Sequence, residues 1–244
     1  MVSIDDAFDA VFKAALDKAA ELTVDTVVDR AVRQYTKRRD ARRASDSTRT
    51  AEPAESIARA SWGPERLVVN AKDPYGYTPK PSFNCDFNNP NYGDERVLAI
   101  AKPLSNSDAG GWQTLLQVKP GAEYLVRVYY HNSASPYQVA TGSRVYLSLP
   151  EQRSTSALVT CYIGGDNTEP ELVWSHLVFE SEREFKLEYV PGTGRLFTNA
   201  KPEGLQCGDG AFLPSGELIG SDQDGRVGGG YAEAGILTFN VRSI

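Results

Sequence analysis

The feature that most constrains this chain is a period of two. In residues 123–130, Tyr124, Val126, Val128 and Tyr130 alternate with Glu123, Leu125, Arg127 and Tyr129. The same alternation sets Val145, Leu147 and Leu149 against Arg144, Tyr146 and Ser148, and Phe185, Leu187 and Tyr189 against Glu184, Lys186 and Glu188. Near the end, Leu237, Phe239 and Val241 oppose Thr238, Asn240 and Arg242. Successive side chains of a strand point to opposite faces, so this pattern describes strands with one buried and one wetter face. Residues 97–101, 113–118, 158–163 and 172–179 are rich in β-branched and apolar residues and read as further strands. Gly, Pro, Asn and Asp punctuate the intervals, and no helical period of useful length follows Trp62. The expectation for 62–244 is a mainly β fold, a two-sheet antiparallel β-sandwich of immunoglobulin-like or jelly-roll-like type.

The first residues follow another rule. Ser3 and Asp6 have the spacing of a helix capping box, and Phe8, Val11, Phe12, Ala15, Ala19 and Leu22 recur at helical spacing. A second, offset stripe runs through Val24, Val27, Val28, Ala31, Val32 and Tyr35. Acidic residues from Asp5 to Asp29 precede basic ones from Arg30 to Arg43, which complements a helix dipole. Residues 1–43 are therefore expected to form an amphipathic helical segment, and 44–61, rich in Ser, Thr, Ala, Arg and Glu, a linker. The basic run from Lys37 to Arg43 suits an anionic membrane surface, although amphipathic helix design alone also accounts for it.

Composition removes several classes. With 41% hydrophobic residues among 244, a sizeable core can form without staples. The net charge of -6 argues against nucleic acid as a partner. No run of apolar residues is long enough to span a bilayer, and the acidic start is unlike a secretory signal, so the cytoplasm is the expected compartment. The three cysteines, Cys85, Cys161 and Cys207, share no CxxC spacing and sit near no histidine cluster, which argues against zinc. Neither a strained GxSxG nucleophile turn nor a phosphate-binding P-loop occurs. His131 and His176, the two histidines, read as hydrogen-bonded structural residues, and Cys161 as a buried thiol.

Turn motifs add a resemblance. Trp62-Gly63-Pro64-Glu65-Arg66, Phe83-Asn84, Asn88-Asn89-Pro90 and Gly93-Asp94-Glu95-Arg96 appear in order. They are followed by Pro120-Gly121-Ala122-Glu123-Tyr124, Val128-Tyr129-Tyr130-His131-Asn132, Tyr189-Val190-Pro191-Gly192-Thr193 and the closing Asp222, Asp224, Gly225 and Phe239-Asn240-Val241. Over residues 62–242 this series resembles an uncharacterised actinobacterial β-sandwich family. It is more distantly similar to the immunoglobulin-like conserved-repeat modules of bacterial surface proteins. The resemblance implies an exported or membrane-tethered domain, with the cell surface as the alternative compartment. It supplies no catalytic residue. Gly228 and Gly230 stand where that family carries Pro and Cys, so no disulfide carries over.

Two acidic loops could bind cations. Asp86, Asn88, Asn89, Asp94 and Glu95 crowd oxygen donors into one loop, and Ca²⁺ takes about 6–8 oxygen ligands. Asp86, Asp94 and Glu95 are thus the calcium candidates, against the simpler reading of these residues as turn formers. Glu95 beside Arg96 suggests an ion pair pinning the loop. Asp222-Gln223-Asp224-Gly225 lacks the remaining ligands of a calcium loop and reads as a hairpin turn. Tyr129, Tyr146 and Tyr162 fall opposite the main apolar stripes and could stack on sugar rings or meet a protein. The expected function is a non-catalytic binding or interaction module. Its loops and aromatic face would meet a protein or glycan partner, with no obligatory cofactor, and its helix would mediate association. A homo-oligomeric structural subunit built through that helix is the alternative, and a glycan-active enzyme the third reading.

Overall fold

The computed structural model describes residues 61–244 apart from Pro74 and Ala109. The expected helix at 1–43, the Lys37–Arg43 surface and all of the 44–61 linker except Ser61 lie outside the described residues. The Ser61 carbonyl already accepts a hydrogen bond from the His176 amide, so it belongs to the edge of a sheet.

The described chain is mainly β, with antiparallel sheets compatible with a β-sandwich. Its strands are β1 (Trp62–Gly63), β2 (Ala99–Pro103), β3 (Leu115–Gln117), β4 (Glu123–Tyr130), β5 (Val139–Ala140), β6 (Arg144–Ser148) and β7 (Ser154–Gly164). They continue with β8 (Leu172–Phe185), β9 (Leu187–Tyr189), β10 (Arg195–Thr198), β11 (Leu205–Gln206), β12 (Glu217–Leu218), β13 (Val227–Gly228) and β14 (Gly235–Ser243). One six-stranded sheet has the order β1-β8-β7-β6-β12, with β3 also on β8; the other runs β11-β10-β14-β4-β2, with β9 also on β14. β13 and β5 form a short separate ladder. Among the described residues, the helical elements after Trp62 are two short 3₁₀ turns, at Gly210–Phe212 and Tyr231–Glu233. Among the described residues no helix is long and apolar enough to cross a membrane.

Both sheets contribute to one core. Val145, Val159, Cys161, Ile163, Val173, Leu177 and Phe179 from the first sheet join Tyr124, Val126, Val128, Leu196, Leu237, Phe239 and Val241 from the second. Tyr124 and Phe179 meet across it edge to face at 5.4 Å, the arrangement favoured by opposed ring quadrupoles. The alternations read from sequence at β6 and β14 hold in the burial of these strands, and that of β4 holds up to Val128, after which Tyr129 is buried as well.

Two expectations are corrected here. The strand expected at 184–189 is two strands: Phe185 ends β8 in the first sheet and Leu187 starts β9 in the second. The alternation runs on through the corner because both sheets bury their inner faces in the same core. Pairing is also not wholly antiparallel, since β3 lies parallel to β8, with Leu115 opposite Val178.

Replacing Phe179 by Ala should lower stability by about 3–5 kcal/mol, because the ring is fully buried and its removal leaves a cavity between the sheets. Urea denaturation of the full chain checks this; a loss below about 1 kcal/mol would mean that the site collapses around the smaller residue.

Candidate cleft and buried carboxylate–histidine cluster

The site is assembled where the loop before β2 lies against the end of β4. Asn84 is the clamp. It adopts a left-handed conformation with φ 54°, which Asn tolerates better than most residues. Its amide donates to the His131 carbonyl at 2.8 Å, and its side-chain oxygen accepts from the His131 amide at 3.1 Å. Its side-chain nitrogen donates to the carbonyls of Glu95 at 3.0 Å and Tyr129 at 3.1 Å. The loop beyond it is closed by the Glu95 amide, which donates to the Asp86 carbonyl at 2.9 Å. Within the loop, Asn89 and Gly93 exchange backbone hydrogen bonds of 2.9 and 2.8 Å, with Gly93 at φ 72°. This backbone closure brings the side chains of Asp86 and Glu95 together and holds both beside His131.

All three are buried, with Asp86 3%, Glu95 1% and His131 2% exposed. His131 Nδ1 lies 2.9 Å from Glu95 Oε2 and 3.8 Å from Asp86 Oδ1. Asn89 donates its side-chain amide to the other Glu95 oxygen, and the Tyr231 hydroxyl donates to Asp86 Oδ2. The Tyr231 ring also stacks on the imidazole, with centroids 4.2 Å apart and planes 12° from parallel. Asp86 Oδ1 and His131 Nε2 are buried without a hydrogen-bond partner. Burial raises the Glu95 carboxyl above the usual glutamate range, opposed in part by its hydrogen bond to His131. Burial, and then the hydrogen bond to Asp86, likewise raises the Tyr231 phenol.

A cleft of about 410 Å³ lies next to this cluster on the outer face of the second sheet. Its lining includes a cross-strand row: Tyr129 on β4 pairs with Ile236 on β14, which pairs with Phe197 on β10. Tyr92, Tyr231, Asn91 and Asn199 also line it. Tyr231, Tyr129 and Asn89 line the cleft, whereas Asp86, Glu95 and His131 do not. Tyr231 and Asn89 therefore touch both the open cleft and the buried charges.

The sequence-derived candidates are partly reunited. Asp86 and Glu95 come together, but Asp94 turns away: both its oxygens bind Arg96, at 2.8 and 2.7 Å. The Arg96 guanidinium also lies over the Trp62 ring at 4.1 Å. The ion pair expected between Glu95 and Arg96 is thus made by Asp94, because Glu95 points inward to His131. Asn88 accepts the Ala71 amide instead of facing the cluster. His131 is hydrogen-bonded, in keeping with its reading as a structural residue, but its partners Glu95 and Asp86 come from another loop, which no local spacing in the sequence reveals. Asp222–Gly225 is a turn, with Gln223 at φ 53° and Gly225 at φ 77°. Of the three tyrosines, Tyr146 and Tyr162 are paired neighbours on the first sheet, beside Trp174, while Tyr129 lies on the second. Tyr129 does point away from the core stripe, but Tyr92 stacks on it at 3.9 Å and leaves it only 5% exposed. The three thiols are free and buried; burial pushes Cys85 up to about 11 and Cys207 up to about 12.

No family model, curated protein or solved structure matches the chain.

The second histidine yields a pH prediction. His176 bonds Thr160 Oγ1 at 3.0 Å, and burial lowers its pKa to about 4 from an ordinary 6.5. Between those values the unfolded chain takes up a proton that the folded chain refuses, so stability should fall as pH drops through this window. His176→Gln should flatten that part of the profile. Urea midpoints at several pH values between neutrality and pH 4 would test it, and parallel profiles for the two proteins would contradict a neutral half-buried imidazole.

Proposed function

We propose that this chain is a non-catalytic binding module whose ligand seat is the cleft over β4, β14 and β10, in a two-layer sandwich of immunoglobulin-like or jelly-roll-like kind. The observation carrying this reading is the Tyr129–Ile236–Phe197 row flanked by Tyr92 and Tyr231. A volume of about 410 Å³ falls within the roughly 300–1,000 Å³ common for small-ligand sites, which pair apolar walls with a few polar groups. Here the walls are largely aromatic and the polar groups are tyrosine hydroxyls and side-chain amides, of which those of Asn89 and Asn199 already donate within the protein. That combination suits a ring-shaped, hydroxyl-rich ligand: C–H faces pack on aromatic rings while hydroxyls bond to amides. A short glycan is the partner class this chemistry favours. The ionisable cluster lies behind the lining, so the cleft offers surfaces for binding and no exposed carboxylate pair for hydrolysis.

A glycan array probed with the full chain, followed by calorimetric titration of the best hit, tests the assignment. Tyr92→Ala and Phe197→Ala should each weaken binding about tenfold, equivalent to about 1.4 kcal/mol, while Tyr162→Ala should leave it unchanged. A blank array, or sensitivity at Tyr162 without sensitivity at Phe197, would defeat the reading. The second result would move the seat to the outer face of the first sheet.

A further inference from the structure

We propose that Asp86, Glu95 and His131 form a binding site for a first-row divalent transition-metal ion such as Zn²⁺ or Mn²⁺. One ligand atom from each residue lies within 4.8 Å of the other two, close enough for one ion after small side-chain shifts. The independent sign is Asp86 Oδ1. It is buried, makes no hydrogen bond and is the carboxylate oxygen facing His131 Nδ1. A buried acceptor left unpaired is costly, and a cation would satisfy it.

Charge points the same way. Two buried carboxylates share one imidazole, and among the described residues no lysine or arginine forms an ion pair with either. A dication would balance both carboxylates with the imidazole neutral. It would bind at Nδ1, so the neutral ring would carry its single proton on Nε2, and a ring protonated at both nitrogens would release one proton to solvent on binding. The remaining oxygens are already oriented, by Asn89 on Glu95 and Tyr231 on Asp86, as supporting hydrogen bonds orient metal ligands elsewhere. One nitrogen and two carboxylates suit Zn²⁺, Mn²⁺ or Fe²⁺ better than Ca²⁺, which prefers an all-oxygen shell. Three protein ligands also leave a coordination position open.

The full chain, stripped with EDTA and desalted, would be titrated with ZnCl₂, MnCl₂ and CaCl₂ by calorimetry, with thermal unfolding followed in parallel. Zn²⁺ or Mn²⁺ should saturate at one equivalent and raise the melting temperature, with Ca²⁺ weaker. Asp86→Asn and His131→Gln should each weaken binding by more than about 100-fold, and His176→Gln should not change it. Should either cluster variant misfold, Co²⁺ bound to the unmodified chain supplies the second readout: paramagnetic shifts on His131 and not on His176. Absence of saturable binding by Zn²⁺, Mn²⁺ and Co²⁺, tighter binding of Ca²⁺, or one-equivalent binding that survives in folded cluster variants would overturn the proposal.

Discussion

The ladder between β4 and β14 is the constraint from which the site follows. It joins eight residue pairs, from Gly235 opposite Tyr130 to Arg242 opposite Glu123. Gly235 admits this register because a Cβ there would lie 2.3 Å from the Tyr130 hydroxyl. The pairing brings the turn at Tyr231, just before β14, beside His131, just after β4. Asn132 reinforces the junction by donating to the carbonyls of Val227 and Gln138, both at 3.0 Å, while the Gly230 amide donates to the Asn132 carbonyl at 2.9 Å. Stacking of Tyr231 on the imidazole is thus a consequence of sheet register.

The same strands carry both the apolar cleft and the polar cluster, and period two explains how. Residues of β4 facing inward build the core, while Tyr129, facing outward, lies under Tyr92 in the cleft lining. One residue past the strand, regular pairing gives way to the Asn84 clamp, and His131 meets carboxylates instead of aliphatic neighbours. Buried ions are tolerated only with hydrogen bonds and opposite charge around them. Asn89, Tyr231 and the imidazole supply most of that requirement, and Asp86 Oδ1 and His131 Nε2 are the parts left unmet.

Much of the β architecture was legible from alternation. β4 was read with its ends in place, and β6 and β14 with their faces correct. Strands of two residues, such as β1, β5 and β12, are too short to display a period. The corner at Lys186 was hidden for the opposite reason: its alternation is unbroken although the chain changes sheets. In the site, crowded Asp, Asn and Glu residues marked Asp86 and Glu95 as potential ligands. Composition alone could not separate them from Asp94, because the choice depends on which way each side chain leaves the loop.

Sequence by itself determined that residues 62–244 are mainly β, which stripes are buried, and that the loop before β2 is rich in ligand oxygens. These are local properties, set by side-chain direction along a strand and by the chemistry of turn residues. Tertiary structure decided that Arg96 takes Asp94, that Tyr92 covers Tyr129, and that His131 meets Glu95 across 36 positions of sequence. Each of those outcomes depends on loop closure and on the register of strands far apart in the chain. No spacing within a single segment encodes that register.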